Sequence, residues 1–425
     1  MLLNGLTDPV LQDLNPTSRY YLSHFATSVC KDLVPRDAPD NNPFRQLIPL
    51  THRHPLLLEI LVATSALHFS NVSRPVRPFV PGLEDPYTAL ARLRSQDQMS
   101  KRALVHALMA KQKAIGHLRE VLETLDSAGS EVALAAVHFL IKFDLIDMDR
   151  HNEKGWQAHL EGANSILVFM TSRFSDFAST ETLRDCLVAH CFICHCRYHI
   201  LGSTLASGAI ASRIACHAIV LMQVMKRVEA SSYLGCPPHI LRIILDASRL
   251  SYESTQTGWD PMSAHRALSL IDQCLAFDIS AWAGKLHVLQ VPDIESRTHI
   301  AFAHRSAACL YLLQVLPTVR LVRPLDKDAL VDDILKHLGQ IHKGSPYIKT
   351  TSWPTFFAGA ETRDPNKRSW AMSRLFDVWK ACPWGYIFTA IEMLKATWEM
   401  QDSGTVSGAD WLQDLKNMGF DSLIV

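Results

Sequence analysis

No sign of charge dominates this sequence: 42 Lys+Arg balance 42 Asp+Glu over 425 residues, for a formal net charge of zero. Binding nucleic acid without help needs a basic face that releases counterions from phosphates, so the balance argues against direct contact. Long hydrophobic runs are scarce as well. The apolar N-terminus is cut by Asp8, Pro9 and Asp13, which leaves no secretory core. The longest apolar stretches, such as 132–141, fall short of the roughly 20 residues that span a bilayer, so no membrane segment is expected. Ten cysteines are too few for a disulfide scaffold, and a reducing cytosol or nucleus is the simplest compartment.

Catalytic signatures are missing too. There is no H-E-x-x-H, and the nearest string, 159-HLEGA-163, lacks the second histidine. Neither G-x-S-x-G, nor a phosphate loop, nor G-x-G-x-x-G occurs. The richest polar cluster is 190-HCFICHCRYH-199, where Cys191, Cys194 and His195 share one helix face. Thiolate and imidazole suit zinc, but structural zinc sites draw ligands from turns of two segments, and buried Cys is a common small apolar residue. The run is read as buried helix. No catalytic residue, metal ligand or cofactor is expected in this chain, and it is not read as an enzyme.

What the sequence does contain is helix. Between 101 and 125, Leu104, Leu108, Ile115, Leu118, Leu122 and Leu125 recur by threes, fours and one seven, which places them on one helix face. Residues 56–69 are apolar nearly all round, and Pro55 stands where a first helical residue lacks an N–H at no cost. Further helices are predicted near 130–148, 156–170, 182–201, 208–230, 238–253, 261–278, 297–316, 326–342, 367–381 and 385–401. Sustained period-two alternation is absent, so the fold class is all-α. Proline and glycine make 72–90 and 343–366 irregular crossovers. The expected organisation is one large multi-helix domain over 1–425, with a flexible lead-in over 1–19 and a joint plus last helix over 402–425. The segment 409–425 mixes acids with Trp411, Leu412, Leu415, Met418 and Phe420, like an activation segment that docks in a coactivator groove. The preferred reading is a final helix packed back on the body, because Leu423, Ile424 and Val425 suit burial.

Several blocks, taken in order, resemble the fungal-specific transcription factor domain, the second of the two large families of that name. The first is 20-YYLSHFATSVCKDLV-34 with 41-NNPFRQLIPLTHRHPLLLEILVATSALHFS-70, matching at Tyr20, Tyr21, Asn42, Pro43, Phe44, Pro49, Pro55, Leu56, Ala63, Ser65, Ala66 and His68. The second is 156-WQAHLEGANSIL-167, at His159, Leu160, Gly162 and Ala163. The third is 353-WPTFFAGAETRDPNKRSW-370, at Trp353, Pro354, Phe356, Ala358 and Gly359, with Trp379 and Asp410-Trp411 downstream.

The resemblance implies an all-α regulatory or effector domain of a transcription factor, expected in the nucleus and shuttling with the cytoplasm. It acts on RNA polymerase II transcription through a ligand or a partner. Such domains normally follow a binuclear zinc cluster with six cysteines; no such basic run occurs here, so zinc is expected only if a cluster lies upstream. Direct DNA contact is therefore not expected from these residues. Expected partners are a second copy, or another transcription regulator in a heterodimer, and a small apolar ligand. The yeast sterol-uptake regulators in this family place a lipid in an apolar pocket, for which Trp353, Phe356, Phe357 and Gly359 are the candidate wall here. The remaining signature positions are read as structural. Two alternatives remain: a cluster-less interaction protein that pairs with or sequesters a DNA-binding regulator, and a helical enzyme or binding protein of specialised metabolism.

Overall fold

The computed structural model describes residues 12–34, 37, 42–72, 97–124, 126–148, 155–173, 198, 200–205, 235–258, 260–403, 410–420 and 422–425. Among these, every regular element is helical and none is a strand, as the all-α class requires. The 190–199 cluster apart from Tyr198, most of the 72–90 crossover, the helices predicted at 182–201 and 208–230 apart from 198 and 200–205, and 404–409 lie outside the described residues. The backbone groups into two compact units: Met1–Cys191 with Pro383–Gly385, and Phe192–Cys382 with Tyr386–Val425.

The first unit opens with α1 (Pro16–His24), so helix begins inside the expected lead-in. Asn15 accepts from the Ser18 N–H, and Pro16 takes the first turn, where its missing donor is not needed. A π-helical turn (Phe25–Val29), α2 (Cys30–Leu33) and a 3-10 segment (Arg45–His52) lead to α3 (Pro55–Val72). Then come α4 (Gln98–Glu123), α5 (Ser127–Ile146) and α6 (Gly155–Arg173), with Asp97 and Asp126 capping α4 and α5. By length and composition α3 alone among the described helices is apolar enough to cross a membrane; 72% of it is buried inside the protein, as befits a core helix.

The leucine face of α4 is not its buried one. Its buried residues are Ser100, Ala103, Ala107, Ala110 and Ala114, whereas Leu108 and Leu122 are exposed. A stripe of small side chains at helical spacing lets α3 and α4 pack with their backbones close. The leucines repeat with the same period on a neighbouring face, and periodicity alone cannot choose between the two stripes.

The second unit contains α7 (Pro238–Thr257), α8 (Pro261–Ala276), α9 (Ile279–Val288), α10 (Ile294–Val315) and α11 (Pro317–Val322). It continues with α12 (Lys327–Gly339), α13 (Ser352–Glu361), α14 (Pro365–Ala381), α15 (Tyr386–Ser403) and α16 (Trp411–Asn417). Carboxylates of Asp260, Asp278, Asp326 and Asp364 accept the orphan N–H groups at four helix starts. The central element is α10, which is buried over most of its length and packs on α7, α8, α9, α12 and α13.

One crossover is more regular than predicted. Inside 343–366, a 3-10 turn (Pro346–Thr351) runs directly into α13. Pro354 falls in the first turn of α13, where no intrahelical donor is required. Gly359 is a close-approach residue: a Cβ there would stand 2.9 Å from the Ala371 Cβ and 3.2 Å from both Leu394 methyls. Both residues that read as punctuation thus belong inside a helix packed tightly on α14 and α15.

Candidate functional site

The predicted pocket residues come together in the second unit. Trp353, Phe356 and Phe357 are fully buried on α13. The Trp353 and Phe357 rings lie 4.5 Å apart, and Trp353 stacks on His304 at 5.9 Å. Tyr311 meets Phe357 edge to face at 5.8 Å. The cluster is completed by the chain's own Trp411, edge-on to Phe357 at 5.5 Å and to Phe356 at 5.9 Å. Gly359 turns away from this cluster, toward Ala371 and Leu394.

Polar groups fix the rings. Trp353 Nε1–H donates to Thr204 Oγ1 at 3.2 Å. Trp411 Nε1–H donates to Glu361 Oε2 at 2.8 Å. Gln314 Nε2 and Lys327 Nζ also donate to the Glu361 carboxylate, at 2.9 and 2.5 Å, so this nearly buried charge is well paired. Arg320 binds Asp410 at 2.5 Å, just ahead of α16. Leu412, Leu415, Leu423, Ile424 and Val425 are buried, and the Val425 carbonyl oxygen accepts from the Ser352 and Tyr386 hydroxyls. The C-terminal segment is therefore packed back on its unit, the preferred of the two sequence readings.

In the first unit the signature residues surround a histidine pair. Tyr21 is buried and its hydroxyl lies 3.0 Å from His106 Nδ1, while the Ser65 hydroxyl donates to the Tyr21 carbonyl at 2.6 Å. Tyr20 is half exposed and meets Phe69 edge to face. His68 Nε2 lies 3.2 Å from Asp32 Oδ2, and His68 Nδ1 lies 2.9 Å from His24 Nε2. A neutral His68 that donates to Asp32 must accept at Nδ1 from His24 Nε2–H, so one carboxylate sets both tautomers. The turn joining His24 to the Asp32 helix is the π-helical Phe25–Val29.

Burial, with His68 beside it, holds the His24 imidazole down at about 4, against an ordinary value of 6.5. Folded protein then takes up this proton only near pH 4, whereas unfolded chain takes it up near 6.5. Between these values the unfolded state binds more protons, so stability falls as pH drops from 6.5 toward 4, by at most about 3 kcal/mol from this group. His24→Gln should flatten that limb, measured as the difference in urea midpoint between variant and parent at pH 7 and pH 4.5. An equal drop in both proteins would refute the assignment.

Most of the other signature positions sit in packing or hydrogen-bond contacts. Asn42 Nδ2 donates to the Cys30 carbonyl and to Asp37 Oδ1, and Asn42 Oδ1 accepts from the Phe44 N–H, which seats buried Pro43 and Phe44. Phe44 stacks on His138 and meets Phe139. His159 Nε2 lies 3.5 Å from Asp144 Oδ2, and burial holds its imidazole below the ordinary range. Pro354 and Ala358 are buried in α13. A Cβ at Gly162 would meet no atom within 4 Å, so no close approach explains this glycine. Sequence reasoning missed His24, Asp32, His106 and Trp411 as partners of these residues, because each pairs across helices and no local spacing encodes the contact.

Among the described residues, no group of three His, Cys, Asp or Glu side chains is placed to hold a metal ion. What the two sites share is packed rings with a few fixed polar contacts, an arrangement suited to holding shape.

The sequence pattern of the fungal specific transcription factor domain matches residues 20–425. The acriflavine sensitivity control protein acr-2 of Neurospora crassa is 35% identical over 437 aligned positions, covering 99% of this chain and 69% of that relative. No solved structure matches. With signature residues forming buried contacts in both units and the match running through both, the chain belongs to the fungal-specific transcription factor domain family and is a regulatory region of such a factor.

Proposed function

We propose that this chain is the effector part of a nuclear regulator, shuttling with the cytoplasm, and that it controls RNA polymerase II transcription through a bound partner or an apolar ligand. The observation that carries this reading is the family match over 20–425, which spans both helical units. The balanced charge supports a role without direct nucleic-acid contact by these residues. In this reading zinc enters only through a cluster outside this sequence, and the regulatory contact is a homodimer, a heterodimer with another regulator, or both.

For an apolar ligand the proposed place is the cluster of Trp353, Phe356 and Phe357, with Gly359 setting the approach of α13 to its neighbours. A ligand ring there would take over the contacts that Trp411 makes. Binding shifts the protein between states only if the two states differ in affinity, and displacement of Trp411 supplies such a difference.

The test is a fusion of residues 1–425 to an unrelated DNA-binding module, read on a reporter in a fungal host. The expected result is a reporter level changed severalfold from that of the module alone. A silent fusion that accumulates in the nucleus would overturn the effector reading. If the same silent chain, expressed without the module, alters transcription and co-purifies with a DNA-binding regulator, the second reading holds: a partner that pairs with or sequesters that regulator.

A further inference from the structure

Two buried cysteines of the second unit meet across its core. Cys309 Sγ lies 3.7 Å from Cys274 Sγ, which joins the last turn of α8 to the later half of α10. Both are free thiols, and Cys274 Sγ also lies 3.7 Å from the Arg305 carbonyl oxygen. Among the described residues, no group of three metal-ligating side chains is placed to hold an ion. The free thiol of Cys236 acts on Cys274 electrostatically, but the sulfur contact is between Cys274 and Cys309, so the chemistry at this contact is that of a dithiol. A disulfide needs the two sulfurs to close to about 2.05 Å. From 3.7 Å that closure asks for a small movement of two side chains already facing each other.

Access is set by the helix end. Cys274 is buried, but Asp272, Gln273, Leu275 and Ala276 around it are exposed. The thiol thus belongs to a last turn whose other residues are exposed, and helices open most readily at their ends. Contact with the Cys309 sulfur, and then burial, hold the Cys274 thiol well above its ordinary range. Thiolate is therefore scarce until that turn opens, and oxidation is slow.

We propose that Cys274 and Cys309 are an oxidation site, a dithiol that a peroxide converts to an intramolecular disulfide pinning α8 to α10. Once the turn opens, one thiolate attacks a peroxide oxygen. The O–O bond breaks, the sulfur becomes a sulfenic acid and hydroxide leaves as water after taking a proton. The second thiol attacks that sulfenic sulfur, the S–S bond forms and a second water departs. Two thiols are oxidised by two electrons and one peroxide is reduced to two waters. Because α10 also carries His304 and Tyr311 against Trp353 and Phe357, the bond fixes the helix that lines the aromatic cluster. The pair acts as a latch set by sustained oxidant, not as a fast sensor. It stands independently of the regulatory reading.

The experiment uses the full chain, reduced and then treated with hydrogen peroxide, blocked with an alkylating agent and mapped by peptide mass. The expected result is one species in which the Cys274 and Cys309 peptides are joined, lighter by two hydrogens. Its thermal midpoint should rise by several degrees, because closing a 35-residue separation restricts the unfolded chain. Cys309→Ser should abolish both the linkage and the rise; if that variant does not fold, the map of the parent protein decides alone. Recovery of the two cysteines as separate alkylated thiols, or of either joined to a different cysteine, overturns the proposal.

Discussion

Replacing Gly385 by alanine should destabilise the first unit by about 3 kcal/mol or more, a large effect for one methyl group. The reason is backbone. A Cβ at Gly385 would overlap the Asp147 carbonyl oxygen, and would stand 2.5 Å from the Asp147 carbonyl carbon and 3.0 Å from Met148 Cα. The segment cannot draw back cheaply. The Gly385 N–H donates to the Ile146 carbonyl at 3.1 Å, and Asn71 Nδ2 holds both Ile146 O and Pro383 O. Lys142 lies over the adjacent Trp384 ring, 4.7 Å from its centroid. The C-terminal end of α5 and Pro383–Gly385 are thus clamped face to face. Gly162→Ala is the matching control. It lies inside α6 with open space around it, so the added methyl should stabilise by about 0.5–1 kcal/mol through helix propensity. Hydrogen exchange of α5 and α6 amides reads both changes. Equal protection in the two variants would refute the account of Gly385.

Trp411→Ala should cost the second unit about 3–5 kcal/mol, because a fully buried indole is lost and its cavity opens between Phe356 and Phe357. It also leaves Glu361 without one of its three donors. Trp411→Phe keeps a six-membered ring in the cluster but removes the N–H and part of the indole's volume, so its cost should be about 1–2 kcal/mol, less than that of the alanine variant. Exchange protection of α13 amides should fall in the order parent, phenylalanine variant, alanine variant. If Trp411→Ala left α13 protected, the C-terminal segment would not be part of the core of its unit.

Much of the helical order was legible because its signals are local. Pro55 and Pro238 start helices where the sequence placed them, and a single aspartate ahead of each of six helices supplies a cap. What stayed hidden depends on packing partners. The alanine stripe of α4 and its leucine neighbours have equal periodicity, and only the nearness of α3 selects the alanines. In α13, proline and glycine argued for a loop, yet one sits in a first turn and the other at a helix crossing. The aromatic block 353–359 was visible as a cluster; that Trp411 fills it was not, since 50 and more residues separate the partners. The His24–His68–Asp32 chain was hidden for the same reason, although His68 itself stood out in the family block.

The most direct test of the regulatory role is chromatin occupancy of the tagged native protein, measured beside transcript changes on deleting its gene. The account predicts enrichment at a discrete set of promoters whose transcripts change when the gene is removed. Nuclear protein with no enriched promoters, and a transcriptome unchanged by the deletion under the same conditions, would contradict it.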